Sequence, residues 1–207
     1  MARSPGTPPN PRDASDIPLR REAVDEARAA LGEHLFETPL LPSPALSELT
    51  GARVLLKAEN VQRAGSFKVR GSVNKIRKLV AAGPVREVVA ASAGNHAQGV
   101  AYAASRFGVP ATVFMPLDAP VAKRRATERL GAAVVLEGRN YDESRAAALA
   151  HAEARGAVFL DGFDDWDVIE GQATLGAEIV EALHGAAPDL VLVPAGGGGL
   201  LARVLFY

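Results

Sequence analysis

The stretch Ala58-Glu59-Asn60-Val61-Gln62-Arg63-Ala64-Gly65-Ser66-Phe67-Lys68-Val69-Arg70-Gly71-Ser72-Val73-Asn74-Lys75 decides how the rest of the chain is read. A loop ending in Gly65-Ser66 gives way to a helical pattern that starts at Phe67, so Lys68 falls at the helix N-terminus. The positive end of a helix dipole disfavours an ammonium ion and favours the free amine. A free lysine amine is a nucleophile towards carbonyl carbon and can form a Schiff base.

Downstream of Lys68 the pattern alternates. Helices are expected over 67–82, 95–107, 119–130, 141–155 and 166–183, and short apolar strands over 87–91, 111–115, 132–136, 157–160 and 189–193. Upstream, a helix is expected over 19–34, then an extended segment forced by Thr38-Pro39-Leu40 and a short helix capped by Ser43 and closed by Gly51. Val54 to Ala58 reads as the first clear strand. Asn140 and Glu143 have capping-box spacing. Short buried strands separated by helices imply a mostly parallel sheet covered on both faces, an α/β fold.

Two glycine-rich loops follow strands of this pattern: Ser92-Ala93-Gly94-Asn95-His96-Ala97-Gln98-Gly99, and Pro194-Ala195-Gly196-Gly197-Gly198-Gly199-Leu200. The first opens a helix, whose free amides bind anions such as a carboxylate. The second suits backbone amides wrapped around a compact phosphate. Four consecutive glycines do not make the G-x-G-x-x-G of a dinucleotide site. In open parallel sheets ligands bind beyond the carboxyl ends of strands, so the three stretches are placed to converge on one crevice.

Together and in this order, these stretches resemble the fold-type II family of pyridoxal-phosphate enzymes, most closely the threonine/serine dehydratases (threonine ammonia-lyases) and their serine racemase relatives. The resemblance runs from about Thr38 to Ala202. It implies a three-layer, tryptophan-synthase-β-like parallel-sheet fold. A small mobile substrate domain, 88–165, would be inserted into a large cofactor domain formed by 19–87 and 166–207, with the site in the cleft between them.

The resemblance also assigns roles. Lys68 would hold pyridoxal phosphate and then take the substrate α-proton. Phe67 would flank the ring, with Ser66 and Arg70 fixing the lysine's helix. Asn95 would meet the cofactor's 3'-oxygen, Gly196, Gly197, Gly198 and Gly199 its phosphate. Ser92, Ala93, Gly94, Asn95 and His96 would bind the substrate, with Ser92, Asn95 and His96 around its carboxylate.

Racemases of the family carry a serine at the position of Ala93, as acid and base on the opposite ring face. A methyl group delivers no proton. The implied reaction is therefore a one-sided α,β-elimination that converts L-threonine or L-serine to 2-ketobutyrate or pyruvate and ammonia, in isoleucine biosynthesis or threonine catabolism. Serine racemase and hydroxyaspartate dehydratase are the nearest alternatives. Threonine synthase and cysteine synthase relatives often continue K-D-R after the lysine, unlike Val69-Arg70-Gly71. The resemblance departs at Ala173, where the family usually has glycine.

Composition limits the other classes. The 207 residues are 48% hydrophobic with net charge −1 and no cysteine. These values fit a globular chain with a substantial core and give no footprint for nucleic acid or an anionic membrane. Without cysteine there is neither a disulfide framework nor a thiolate metal site, and no metal is expected. No apolar run approaches the ~20 residues that span a bilayer, and no secretory signal is visible, so the expected location is cytoplasmic. Lys123-Arg124-Arg125 reads as a solvated helix face. Asp161, Asp164, Asp165 and Asp167 do not match a calcium loop and read as a polar hinge.

Residues 1–18 carry five prolines among small and polar residues and are expected to be a disordered tail. The family continues well past the tetraglycine, whereas here Arg203 replaces a further glycine and the sequence ends at Tyr207. The expectation is a C-terminally truncated form with an incomplete second domain, of a family whose full-length members are homo-oligomers. A catalytically inactive fragment is the reading from another class.

Overall fold

The computed structural model describes residues 20–194, 200 and 201. The tail expected over 1–18 and the tetraglycine Gly196–Gly199 lie outside these residues.

Four strands, β3 (Val88–Ala91), β4 (Ala111–Met115), β5 (Ala133–Leu136) and β6 (Val158–Phe159), form an all-parallel sheet in the order β5-β4-β3-β6. Val88 aligns with Ala111 on one side and with Val158 on the other. Residues of β3 alternate between two cores, as the two-residue period of a strand requires. Val88 and Ala90 join Val113, Met115, Ala97, Val100 and Ala104 on the face covered by α4 (Asn95–Arg106). Val89 and Ala91 join Phe114, Ala148 and Ala152 under α6 (Tyr141–Arg155). Burial on both faces of β3 and β4 explains why these two strands are almost entirely apolar rather than alternating.

The crossovers give this sheet its crevice. The chain steps from β3 to β4 to β5 through α4 and α5 (Val121–Arg129), then returns through α6 to place β6 on the other side of β3. The strand order therefore reverses at β3, and the loops leaving β3 and β6 lie side by side at the carboxyl edge. Such a switch point is where open α/β sheets bind ligands.

Outside this unit, α1 (Arg21–Leu31), α3 (Lys68–Ala82) and α7 (Trp166–Ala182) pack together, and α3 also packs on α4. β1 (Leu40–Pro42) pairs antiparallel with β2 (Leu55–Lys57) around α2 (Pro44–Thr50). Gly51 closes α2 in the left-handed conformation, and Pro44 stands at its start. Ser43 occupies the N-cap position without a side-chain cap; its carbonyl accepts from Ser47 Oγ instead. A 3-10 turn, Glu59–Val61, precedes α3 and had no clear signal in the sequence. Asn140 caps α6 through Glu143 N, but the Glu143 carboxylate returns to Arg139 N, one residue before the N-cap.

One expected element does not form. Residues 189–193 run as irregular chain, with Leu190 74% and Leu192 86% exposed. Their apolar pattern suits a buried strand, but a strand exists only in a ladder, and no described segment pairs with this one.

Ala173, where the resemblance departs, is fully buried against Val24 of α1. Its methyl group fills the α1–α7 contact.

Candidate active site

The position of Lys68 follows from two places where helices approach closely. A side chain at Gly71 would meet the Val168 carbonyl at 2.5 Å, and one at Gly171 would meet the Arg70 carbonyl at 2.6 Å, so α3 and α7 touch backbone to backbone. On the other side a side chain at Gly99 would lie 3.1 Å from the Lys68 carbonyl carbon, which brings the first turn of α4 against the first turn of α3. Glycine is needed at Gly171, where every opposing atom is backbone, and at Gly71, where the Val168 carbonyl cannot yield; at Gly99 the contact is tight.

Arg70 anchors the same turn electrostatically. It is 1% exposed. Its guanidinium donates to Glu59 at 2.7 and 2.8 Å, to Glu178 at 2.5 and 2.9 Å and to Thr174 Oγ1 at 3.2 Å. Lys57 Nζ pairs with Glu178 at 2.5 Å, and Thr38 Oγ1 donates to Glu59. Two cations thus face two carboxylates, which makes their shared burial tolerable. Burial works against the Arg70 charge, yet the hydrogen bonds to Glu59 and Glu178 outweigh it and hold the guanidinium above its ordinary value. The cluster ties β2, the 3-10 turn, α3 and α7 together directly behind Lys68.

Lys68 is the first residue of α3, and no side chain caps the helix. Its amine is half-buried, 5.5 Å from the centroid of the Phe67 ring, and donates to the Gly162 carbonyl at 2.6 Å. Burial lowers its pKa from the ordinary lysine value, and the Asp161 carboxylate only partly offsets this. The free base is thereby favoured, as expected from its place at a helix start.

Gly162 belongs to the loop after β6, and its other side rests on His96: a side chain there would meet the imidazole at 3.2 Å. His96 is buried, and its Nε2 lies 3.0 Å from the Leu160 carbonyl, so that nitrogen carries the proton and donates. Nδ1 is left as a buried lone pair without a partner. Burial pushes the imidazole pKa down to about 4, with the nearby Lys68 charge adding to the effect. His96 is neutral at pH 7.

The loop after β3 completes the crevice. Ser92 Oγ accepts from Gly94 N at 3.1 Å, which folds the loop onto the start of α4. No side chain caps α4, and its first amides, at Asn95, His96 and Ala97, have no carbonyl four residues back within the helix. Space beside Gly94 is open, with only Ser92 Oγ at 4.0 Å from where a side chain would start. Asn95 is exposed, while Ser92 and Ala93 are partly buried.

The structure therefore joins Phe67 and Lys68 to His96, through Gly162, at the head of the helix that Ser92, Ala93, Gly94 and Asn95 open. Two contributors had no individual signal in the sequence: the Gly162 carbonyl and Glu178. Asp161-Gly162 was legible only as part of a polar run. In the structure Asp161 closes a turn by accepting from Phe163 N and Asp164 N, Asp165 caps α7, and Asp167 pairs with Lys75 and Lys78. Among the described residues no group of acidic or histidine side chains is arranged to hold a metal ion, and no helix is long and apolar enough to cross a membrane.

Comparison with known proteins agrees with this geometry. The chain is 51% identical over 183 residues to L-threonine ammonia-lyase of Thermotoga maritima, covering 88% of this chain and 45% of that protein. It is 43% identical over 182 residues to the catabolic L-threonine dehydratase of Staphylococcus aureus, covering 87% and 52%. The chain spans about half the length of these relatives. Among solved structures, the threonine deaminase of T.th. matches with a TM-score of 0.82 at 41% identity, over 90% of this chain and 59% of that one. A pyridoxal 5'-phosphate-dependent aspartate racemase matches at 0.84 and 33% identity, over 91% and 58%. The pattern of the family described as pyridoxal-phosphate dependent enzyme matches residues 31–207, and with the lysine, the helix-start loop and the switch-point crevice in place, this chain belongs to that family.

Proposed function

We propose that this chain carries the catalytic lysine and substrate loop of a pyridoxal-phosphate-dependent ammonia-lyase acting on L-threonine or L-serine. The observation that carries the reading is Lys68: a desolvated amine at a helix start, facing the crevice of a parallel sheet. The names of the relatives, L-threonine ammonia-lyase and L-threonine dehydratase, support this substrate class.

The residues present fit the cofactor. Lys68 offers an amine for a carbonyl carbon, and Ser66 Oγ and His96 Nδ1 are buried polar atoms without partners at the same helix starts. Open space lies over Gly94. Lys68 and Phe67 would hold the group, with Asn95 at its 3'-oxygen. Gly196, Gly197, Gly198 and Gly199 would hold its phosphate. When bound, pyridoxal phosphate supplies an electrophilic carbon and an electron-withdrawing ring that acidifies the α-carbon of an amino acid.

The chain's own groups do the rest. With the cofactor bound, the Lys68 amine would take the proton from the substrate α-carbon, a task its lowered pKa suits. The free amides at the start of α4, with Ser92, Gly94 and Asn95, bind the substrate carboxylate. His96, its one N–H already given to Leu160, has none to offer a carboxylate and supports the loop from beneath. Ala93 delivers no proton to the opposite side, which favours elimination over racemisation. The α-proton and the β-hydroxyl would leave together as water, and one water returned in hydrolysis would give the 2-keto acid and ammonia.

A further part of the proposal is a mobile unit over 88–165 that closes on the flanking segments 19–87 and 166–207. It is supported by the four-stranded sheet falling entirely within 88–159. A homo-oligomeric assembly and a cytoplasmic setting belong to the same reading.

The test is the visible absorption spectrum of the purified chain with pyridoxal phosphate, beside Lys68→Ala, before and after L-threonine. A lysine-dependent band that shifts with threonine and yields 2-ketobutyrate supports the reading. A spectrum identical to the Lys68→Ala control overturns it for this chain.

A further inference from the structure

The loop after β6 presents one carbonyl, that of Gly162, to the Lys68 amine at 2.6 Å. Two side chains, Asp161 and His96, fix where that carbonyl points. Asp161 Oδ1 accepts from Phe163 N at 3.0 Å and Asp164 N at 3.1 Å, folding the chain tightly around Gly162. Asp161 Oδ2 lies 3.3 Å from Arg145 Nη2 on α6, which ties the turn to the far face of the sheet. On the near face, His96 takes the Leu160 carbonyl and lays its ring against Gly162, where a side chain would start only 3.2 Å from the imidazole.

We propose that Asp161 is a positioning residue for Lys68: its turn aims the Gly162 carbonyl so that the lysine amine is parked in the crevice rather than released to solvent.

This rests on the reading of Lys68 as the reactive amine. Two features make the parking useful. An amine that gives one N–H to Gly162 is held in one place, and on deprotonation its lone pair is left on another side, open to an electrophile. A lysine stem otherwise explores many rotamers, and holding it removes that freedom before the cofactor arrives. The charged and titratable neighbours of the amine are Asp161 on this loop and His96 on α4. The Asp161 carboxylate opposes the lowering of the lysine pKa by burial, so the residue acts through both charge and turn, and the two are separable.

Asp161→Asn keeps an oxygen that accepts from Phe163 N and Asp164 N but removes the charge. Asp161→Ala removes both. The measurement is competitive acetylation of the 207-residue chain without cofactor, by acetic anhydride across pH 6–11, with the Lys68 peptide quantified by mass spectrometry and exposed Lys123 as internal reference. Circular dichroism establishes that each variant is folded.

The expected result is that Lys68 of Asp161→Asn titrates below wild type. In Asp161→Ala it titrates roughly one pH unit above Asp161→Asn, towards the ordinary lysine value, because the untethered amine reaches water. Superimposed Lys68 curves in Asp161→Asn and Asp161→Ala overturn the proposal, since these two differ only in the turn.

If Asp161→Ala does not fold, Asp161→Leu serves, a side chain the size of asparagine with no oxygen for Phe163 N and Asp164 N. A Lys68 curve there superimposed on that of Asp161→Asn overturns the proposal. The readout contains no cofactor, so its failure is distinct from failure of the functional reading: a missing lysine-dependent band with the expected acetylation curves removes the function and leaves the positioning in place.

Discussion

The Lys68 amine and the Gly162 carbonyl, 94 residues apart in the chain, meet at 2.6 Å where the strand order of the sheet reverses. The lysine comes from a helix outside the sheet, the carbonyl from a loop of the sheet itself. Their hydrogen bond brings together the two parts of the crevice, and the groups behind each partner set how firmly it is held.

Behind Lys68 stands Arg70 with its two carboxylates. Arg70→Met would leave Glu59 and Glu178 buried with only Lys57 to balance them, a loss of about 3–5 kcal/mol. Thermal unfolding should show a large drop, and adding Glu178→Leu should recover part of it. A double variant no more stable than Arg70→Met would mean that the buried carboxylate is not what costs the stability.

The α3–α7 contact makes a second prediction. A methyl group at Gly171 would lie 2.6 Å from the Arg70 carbonyl and 2.7 Å from Gly71 Cα. Backbone on both helices has to separate, at about 2–3 kcal/mol and roughly 5–10 °C in melting temperature. Because the same displacement tilts the first turn of α3, Gly171→Ala should also weaken cofactor binding as measured by the Lys68-dependent absorption band. Retained stability together with unchanged binding would contradict the close approach.

His96 gives a pH dependence with a defined sign. Folded, it binds its proton only near pH 4; unfolded, near 6.5. Between these values the unfolded chain holds more protons, so stability falls as pH drops from 6.5 to 4, by on the order of 3 kcal/mol at the lower end. His96→Gln offers an N–H to Leu160 but cannot titrate, and its melting temperature should fall less over that window. Parallel curves for the two proteins would exclude His96 as the source.

Ala93 tests the reaction type. If Ala93 lies on the ring face away from Lys68, as proposed, Ala93→Ser would put a hydroxyl where a proton can be delivered. If the elimination reading holds, wild type forms no D-serine from L-serine, and the variant raises D-serine on the order of 100-fold above background by chiral chromatography. D-serine from wild type at the rate of keto-acid formation would favour racemisation instead.

The sequence by itself determined the α/β alternation, nearly every element between α1 and α7, and the cofactor family. Each rests on local information: strand and helix periods, the lysine at a helix start, and glycines at strand ends. The strand expected over 189–193 shows the limit of that information, because apolar residues supply the inclination and only a neighbouring strand supplies the ladder. Tertiary structure alone decided which groups meet. That Gly71 faces Gly171, that Arg70 shares its charge with Glu178, and that Gly162 rather than a side chain receives the Lys68 amine depend on the path through α6 and β6 that returns α7 and its preceding loop to α3. The Lys68–Gly162 and Arg70–Glu178 contacts join residues 94 and 108 positions apart, and the first is made to a backbone carbonyl, which leaves no mark in the amino-acid sequence.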